Sequence, residues 1–189
     1  FRVGRQGDKL IEAGSVTVPQ PFILYGQMPF VDASGVRLHA ALTASDELVI
    51  ATPDGRRLWE SNQKYGGSTA GITRPRNIHA VDAEGLRTQW LRARIMMSPV
   101  GEILVPVNEG SRLFDQWRKF TSSHLVALTW NGQTLEQRWR TIDQNGYLAD
   151  FRLADADNDG AVELVTAVGF NEGGLLTTAK SGLVIYQME

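Results

Sequence analysis

Three aspartates alternate within one short loop of the sequence. The run Asp155-Ala156-Asp157-Asn158-Asp159-Gly160-Ala161-Val162-Glu163 carries carboxylates at its first, third and fifth positions. Side chains at such positions of a tight loop can converge on one point, and Gly160 permits the sharp turn that follows. The Ala161 carbonyl and the Glu163 carboxylate stand where they can complete a shell of oxygen ligands. Such a shell suits a hard cation, and the flexible arrangement favours calcium over magnesium.

The strongest alternatives for this loop are an EF-hand and an ordinary polar turn. An EF-hand lies between helices and carries a glutamate at position 12, whereas position 12 here is Thr166 and both flanks alternate like strands. A polar turn would use Asp and Asn only for turn chemistry. The sequence favours a calcium loop in a β-hairpin, with Ca²⁺ bound by Asp155, Asp157, Asp159, Glu163 and the carbonyl of Ala161.

Strand-like segments separated by turn residues occur throughout the chain. We therefore expect strands to position this loop. One predicted hairpin spans 46–61 and turns at Asp54-Gly55, and another spans 123–141 and turns at Asn131-Gly132. The opening segment turns near Gly7 in the same way. We therefore predict an all-β fold with little helix.

An internal repeat organises these hairpins. The segments 31–42, 96–107 and 154–168 align, and their turn glycines are 66 and 59 residues apart. Four antiparallel strands in each unit of this size are typical of β-propeller blades. A β-sandwich is the alternative, but the repeated order of strand, turn, strand and hairpin weighs against it.

The repeat predicts one β-propeller segment over residues 1–189, with about three blades plus a partial one. The predicted parts are a partial blade 1–21, blades at about 22–66, 88–143 and 144–189, and an inter-blade excursion 67–87. Closed propellers usually have at least four blades. We expect upstream blades of the same polypeptide or another chain to complete the ring, or the strand 8–15 to cap the final blade.

The segment 155–168, DADNDGAVELVTAV, resembles the FG-GAP/VCBS repeat signature. That family forms propellers like those of integrin α-subunits, with calcium loops on the blades, and the resemblance implies the same here. The unit at 31–42 keeps Asp32 and Gly35 but has Ser34 where a second acidic ligand is expected. The unit at 96–107 has no carboxylate immediately before Gly101. We expect both units to keep the turn without the metal.

Composition and short patterns bear on location and partners. The formal charge of −2 gives no basic field for nucleic acid, and no apolar run reaches the roughly 18 residues of a membrane span. Tyr65-Gly66-Gly67-Ser68 and the segment 180–189 look like exported bacterial repeat proteins. That resemblance implies a periplasmic, cell-surface or extracellular protein, where millimolar calcium would suit a weak site.

No catalytic constellation can be assigned, so no catalytic residue and no organic cofactor are predicted. There is no cysteine, no Gly-x-Ser-x-Gly elbow and no P-loop, and the three histidines are far apart. The favoured interpretation is a non-catalytic interaction module for a protein or glycan partner. The alternative is a propeller enzyme, a polysaccharide lyase or hydrolase, with acidic residues in the central channel.

Other aromatic and cationic residues have two interpretations each. The insertion 108–123 either binds a partner or folds over its own small cluster. Its candidate partner-binding residues are Arg112, Phe114, Trp117, Arg118 and Phe120. Trp59 and Trp139 occupy matching strands and are predicted to pack between blades. Arg92 and Arg94 are interpreted as surface charges, solvated or paired with nearby acids.

Overall fold

The computed structural model describes residues 2–15, 25–75, 86–112, 118–170 and 180–188, and these residues form strands and no helix. The predicted all-β fold class is confirmed for them. They accordingly include no helix that could cross a membrane. The strands are β1 (Val3–Gln6), β2 (Lys9–Glu12), β3 (Gln27–Val31), β4 (Arg37–Leu42), β5 (Glu47–Ala51), β6 (Arg57–Lys64), β7 (Gly71–Pro75), β8 (Leu86–Trp90), β9 (Met96–Met97), β10 (Ile103–Ser111), β11 (Lys119–Trp130), β12 (Leu135–Arg140), β13 (Gly146–Ala154), β14 (Glu163–Phe170) and β15 (Lys180–Tyr186).

The strands assemble into open antiparallel sheets that follow the order of the chain. The first sheet has the order β3-β4-β5-β6, the second β12-β11-β10-β9 and the third β13-β14-β15. The pairs β1–β2 and β7–β8 form separate hairpins. The predicted hairpins are confirmed: β5 pairs with β6, β11 with β12, and β1 with β2.

Four turns share one hydrogen-bond pattern, in which the fourth residue donates its N–H to the carbonyl of the first. They cover residues 32–35, 43–46, 52–55 and 98–101. Glycine closes three of them with φ between 83° and 93°, because a residue with a Cβ is strained at such angles. Asp46 closes the fourth with a φ of 66°. An aspartate at a position that favours glycine indicates that the aspartate side chain has a structural or functional role.

Alternating side chains bury both faces of the second sheet. On β10, Ile103 and Val105 join the apolar cluster shared with the first sheet, whereas Leu104 joins the cluster shared with the third sheet. All three side chains are almost completely buried. Because successive residues of a strand point to opposite faces, this strand can contribute to two cores, and the three sheets pack face to face in chain order.

One buried amide connects the three sheets. Asn108 on β10 is completely buried, and its Nδ2 donates to the carbonyls of Gly67 (3.1 Å) and Leu148 (3.0 Å). Its Oδ1 accepts the N–H of Leu148 at 2.8 Å. Gly67 follows the last strand of the first sheet, and Leu148 lies on β13 of the third. The side chain therefore satisfies backbone groups on both sides of its own sheet.

The two tryptophans predicted to pack do so on equivalent outer strands, but each is only half-buried. Trp59 on β6 lies opposite Ile50 and contacts the first apolar cluster. Trp139 on β12 lies opposite Ala127 and contacts the second cluster, and its Nε1 donates to Glu102 Oε2 at 3.0 Å.

Replacing Trp59 with alanine should lower the free energy of unfolding by about 2 kcal/mol, less than the cost of truncating a fully buried tryptophan. Urea denaturation measures this loss. Leu58→Ala is the control, because Leu58 is 40% exposed on the same strand and should change stability much less. Equal losses in the two variants would show that Trp59 makes no special packing contribution.

Candidate functional site

The acidic loop lies at the tip of the hairpin formed by β13 and β14. The last residue pair of this hairpin joins Ala154 to Glu163, so residues 155–162 form the connection. Both flanks are strands, which confirms that the loop is not flanked by the helices of an EF-hand.

The structure brings the three aspartates of the loop together. One carboxylate oxygen from each of Asp155, Asp157 and Asp159 lies within 4.8 Å of the others. Oxygen ligands bind calcium at about 2.4 Å, so two ligands of one ion can be up to about 4.8 Å apart. The spacing of these carboxylates is therefore compatible with a common calcium ion.

Backbone N–H groups of the loop hold these carboxylates in place. Asp155 accepts hydrogen bonds from the N–H groups of Asp159 and Gly160, both at 3.1 Å. Asp159 accepts the N–H of Ala161 at 2.7 Å. The loop folds back through positive φ angles at Asn158 (63°) and Gly160 (91°), which are residue types that tolerate this conformation.

Glu163 occupies a different environment from the exposed aspartates. Its side chain is completely buried, and Oε2 accepts the N–H of Ala156 at 2.6 Å. Its other oxygen, Oε1, is buried with no hydrogen-bond partner among the described residues. Buried carboxylate oxygens are normally satisfied. The Glu163 carboxylate thus lies at the base of the acidic loop through its bond to Ala156, although it is outside the group of three converging carboxylates.

The two related units keep their turns, as expected. Asp32 Oδ1 accepts the Ser34 hydroxyl at 2.7 Å and the N–H groups of Val36 and Ser34, both at 2.9 Å, and these bonds lower the pKa of Asp32. In the other unit, Ser98 Oγ accepts the N–H of Glu102 at 3.0 Å. Within the described ranges, the three aspartates of the loop are the one group of three or more acidic, histidine or cysteine residues close enough for a shared ion.

A second site forms where the candidate partner-binding residues meet Asp46. Arg112 Nε and Arg118 Nη1 both donate to Asp46 Oδ2, at 3.2 and 2.9 Å. Asp46 is only 3% exposed in its side chain. Phe114 and Trp117, the other predicted members besides Phe120, lie outside the described residues.

Aromatic rings support these arginines. The Arg112 guanidinium lies 5.0 Å from the centre of the Phe120 ring, and the Arg118 guanidinium lies 5.0 Å from the Trp90 ring. Phe120 in turn stacks on Tyr147 with ring centres 5.6 Å apart. The structure therefore joins Arg112, Arg118 and Phe120 in one cluster.

Asp46 is the centre of this cluster, and no sequence pattern predicted that role. Arg94 does pair with an acid, since its Nε and Nη2 donate to Asp150 at 2.8 and 3.0 Å. Arg92 is instead partly buried, and its electrostatic neighbours are Asp46 and Arg118. One feature pointed to a role for Asp46: it is an aspartate at a turn position that glycine occupies in the related turns.

A polar cleft lies next to the second site, between β6 and the strands β10 to β12. We call it the inter-sheet cleft; its volume is about 430 Å³, and its polar lining includes Lys64, Asn108, Glu109, Arg112, His124 and Arg140. His124 Nδ1 lies 3.0 Å from Asp143 Oδ1. Burial lowers the pKa of His124, and the charge of Asp143 opposes this effect. His39 is also affected by burial, which lowers its pKa.

Comparison of the sequence with protein-family models and with curated proteins finds no match. The functional interpretation therefore depends on the residues of the acidic loop and of the cluster around Asp46.

Proposed function

We propose that the protein is a calcium-binding β-propeller module of the FG-GAP/VCBS type, which presents its loops to a protein or glycan partner. The observation that carries the proposal is the acidic loop. Three aspartate carboxylates lie within reach of one ion, and buried Glu163 keeps an oxygen that has no hydrogen-bond partner in the described part of the chain.

Calcium is the cation that these donors fit best. Carboxylate oxygens on an exposed hairpin tip are hard ligands, and calcium accepts six to eight of them in irregular geometry. In this proposal Asp155, Asp157 and Asp159 bind the ion directly. Glu163 and the Ala161 carbonyl complete the shell after a small adjustment of the loop.

The arrangement of the sheets supports the propeller part of the proposal. Two consecutive sheets have four strands in meander order, and a third has three strands in the same order. They pack face to face, as neighbouring blades do. Upstream blades of the same polypeptide or another chain would complete the ring and the three-stranded sheet. A periplasmic, cell-surface or extracellular location would supply millimolar calcium to a weak site.

Calcium should stabilise the folded protein. A concentration of about 100 times the dissociation constant should add about 2.7 kcal/mol to the free energy of unfolding and raise the melting temperature by several degrees. Asp157→Ala should abolish this rise, whereas Asp54→Ala, in an exposed turn outside the loop, should keep it. Calorimetry and thermal melting with calcium or magnesium measure both effects.

Two results would contradict the calcium assignment. One is the absence of calcium binding at millimolar concentration in titration calorimetry. The other is a calcium-dependent rise in melting temperature that Asp157→Ala and Asp54→Ala retain equally, since that would place the ion elsewhere.

A further inference from the structure

Two arginines bind one buried carboxylate, and a third from a separate segment interacts with it electrostatically. Arg112 and Arg118 bind Asp46 Oδ2, and Arg92 lies within electrostatic range of Asp46 and Arg118. We call these four residues the arginine cluster. Its members are well shielded from solvent: the side chain of Arg118 is 10% exposed and that of Arg112 is 22% exposed.

Positive charge exceeds negative charge within the arginine cluster. Arginine stays protonated in proteins, so among the described residues of the cluster three guanidinium charges act on one carboxylate. Burial lowers the pKa of Arg92, Asp46 opposes this effect and Arg118 reinforces it. The rings under Arg112 and Arg118 contribute cation–π attraction but no negative charge. A partly buried excess of positive charge is unfavourable unless an anion balances it.

Arg92 also has a donor without a partner. Its Nη1 donates to the carbonyl of Trp90 at 3.1 Å, but its buried Nε has no hydrogen-bond acceptor among the described residues. Buried N–H groups almost always have one. The missing acceptor and the excess positive charge therefore occur in the same cluster.

The backbone at Asp46 adopts a conformation that the matching turns fill with glycine. The three matching turns end in glycine, whereas Asp46 adopts a φ of 66° and keeps its carboxylate between Arg112 and Arg118. Its own carbonyl accepts the N–H of Tyr65 at 2.7 Å, which fixes the turn to the end of the first sheet. The arginines are thus held in a defined geometry, as an anion-binding site requires.

The inter-sheet cleft meets the arginine cluster at Arg112. The charged lining of this cleft is Arg112, Lys64, Arg140 and one carboxylate, Glu109, and Arg112 Nη2 donates to the carbonyl of Asn108 at 2.8 Å. A volume of about 430 Å³ is within the usual range for small-ligand sites. A ligand in the cleft would meet a guanidinium that is already oriented.

We propose that the arginine cluster is an oxyanion-binding site, which takes a carboxylate or phosphate group of a ligand entering through the inter-sheet cleft. Guanidinium forks bind both groups through paired, charge-assisted hydrogen bonds. The proposal does not depend on calcium or on the number of blades, because none of its residues belongs to the acidic loop.

The side-chain Nε–Hε resonances of the arginines test this proposal directly. Sodium phosphate and sodium acetate are titrated separately into the calcium-free protein, with sodium chloride at matched ionic strength as the reference. The resonances of Arg92 and Arg112 should shift saturably with at least one of the two anions. The resonance of Arg57, which pairs with Glu60 on an exposed surface, should not. A response to phosphate alone indicates a phosphorylated ligand, and a response to acetate alone indicates an acidic peptide or acidic sugar.

Variants separate the site from general salt effects. Arg118→Gln should weaken anion binding at least about tenfold, the loss expected for one charge-assisted hydrogen bond, whereas Arg57→Gln should leave it unchanged. Arg92→Lys keeps the charge but removes Nε–H, and it should weaken binding if that donor contacts the anion. The proposal is overturned if Arg92 and Arg112 respond no more than Arg57 to either anion. It is also overturned if Arg57→Gln weakens binding as much as Arg118→Gln.

Discussion

Replacing Asn108 with alanine should lower the free energy of unfolding by about 3–6 kcal/mol. The change removes three hydrogen bonds and leaves the Gly67 carbonyl and both backbone groups of Leu148 unsatisfied. Each buried polar group left in this way costs about 1–3 kcal/mol. Because the amide connects backbone on both sides of the second sheet, its loss affects the packing of all three sheets. Urea denaturation measures the loss. The slope of the free energy of unfolding against urea concentration should be the same in the variant and the parent, as two-state unfolding of both requires.

Two further variants sharpen this test. Asn62→Ala truncates an exposed asparagine on β6 and should change stability by less than about 0.5 kcal/mol. Asn108→Asp keeps the shape and the acceptor for the Leu148 N–H, but it places an oxygen against two carbonyl oxygens. This variant should be destabilised at neutral pH at least as much as the alanine variant. If Asn108→Asp is as stable as the parent, the amide does not make the hydrogen bonds described.

Local sequence signals predicted the strands and turns well. Asp54-Gly55 and Asn131-Gly132 mark tight turns because glycine and asparagine accept the backbone angles that such turns need. The order of hairpins follows from these signals, since each involves residues close together in the chain. The same locality explains why the convergence of Asp155, Asp157 and Asp159 could be anticipated.

Features that depend on packing between sheets were not predictable in the same way. Asn108 reaches Leu148 across 40 residues of sequence, and Arg118 reaches Asp46 across 72. No periodicity or short motif marks such pairs, because their proximity arises only when separate sheets stack. The burial of Glu163 had a partial signal: it begins β14, where inward and outward positions alternate, but the sequence did not show which face is buried.

Replacing Asp46 with asparagine should lower the free energy of unfolding by about 3–5 kcal/mol, the usual effect of breaking a buried ion pair. Asparagine tolerates positive φ, so the variant removes the charge and keeps the turn. Arg112 and Arg118 then lose the negative charge of their shared partner, and the three guanidinium charges lose the carboxylate that balanced them in part. Asp54→Asn, at an exposed position of the neighbouring turn, should change stability by less than about 0.5 kcal/mol in the same urea experiment.

Anions provide a second measurement on the Asp46→Asn variant. Phosphate or acetate should restore more stability to this variant than it adds to the parent, because binding supplies the negative charge that the cluster has lost. Asp46→Gly, which relieves the strained φ, separates the backbone contribution from the charge. If Asp46→Asn has the same midpoint urea concentration of unfolding as the parent, the arginines do not need this carboxylate. Equal stabilisation of the parent, Asp46→Asn and Asp54→Asn by anions would show a general salt effect rather than binding at the cluster.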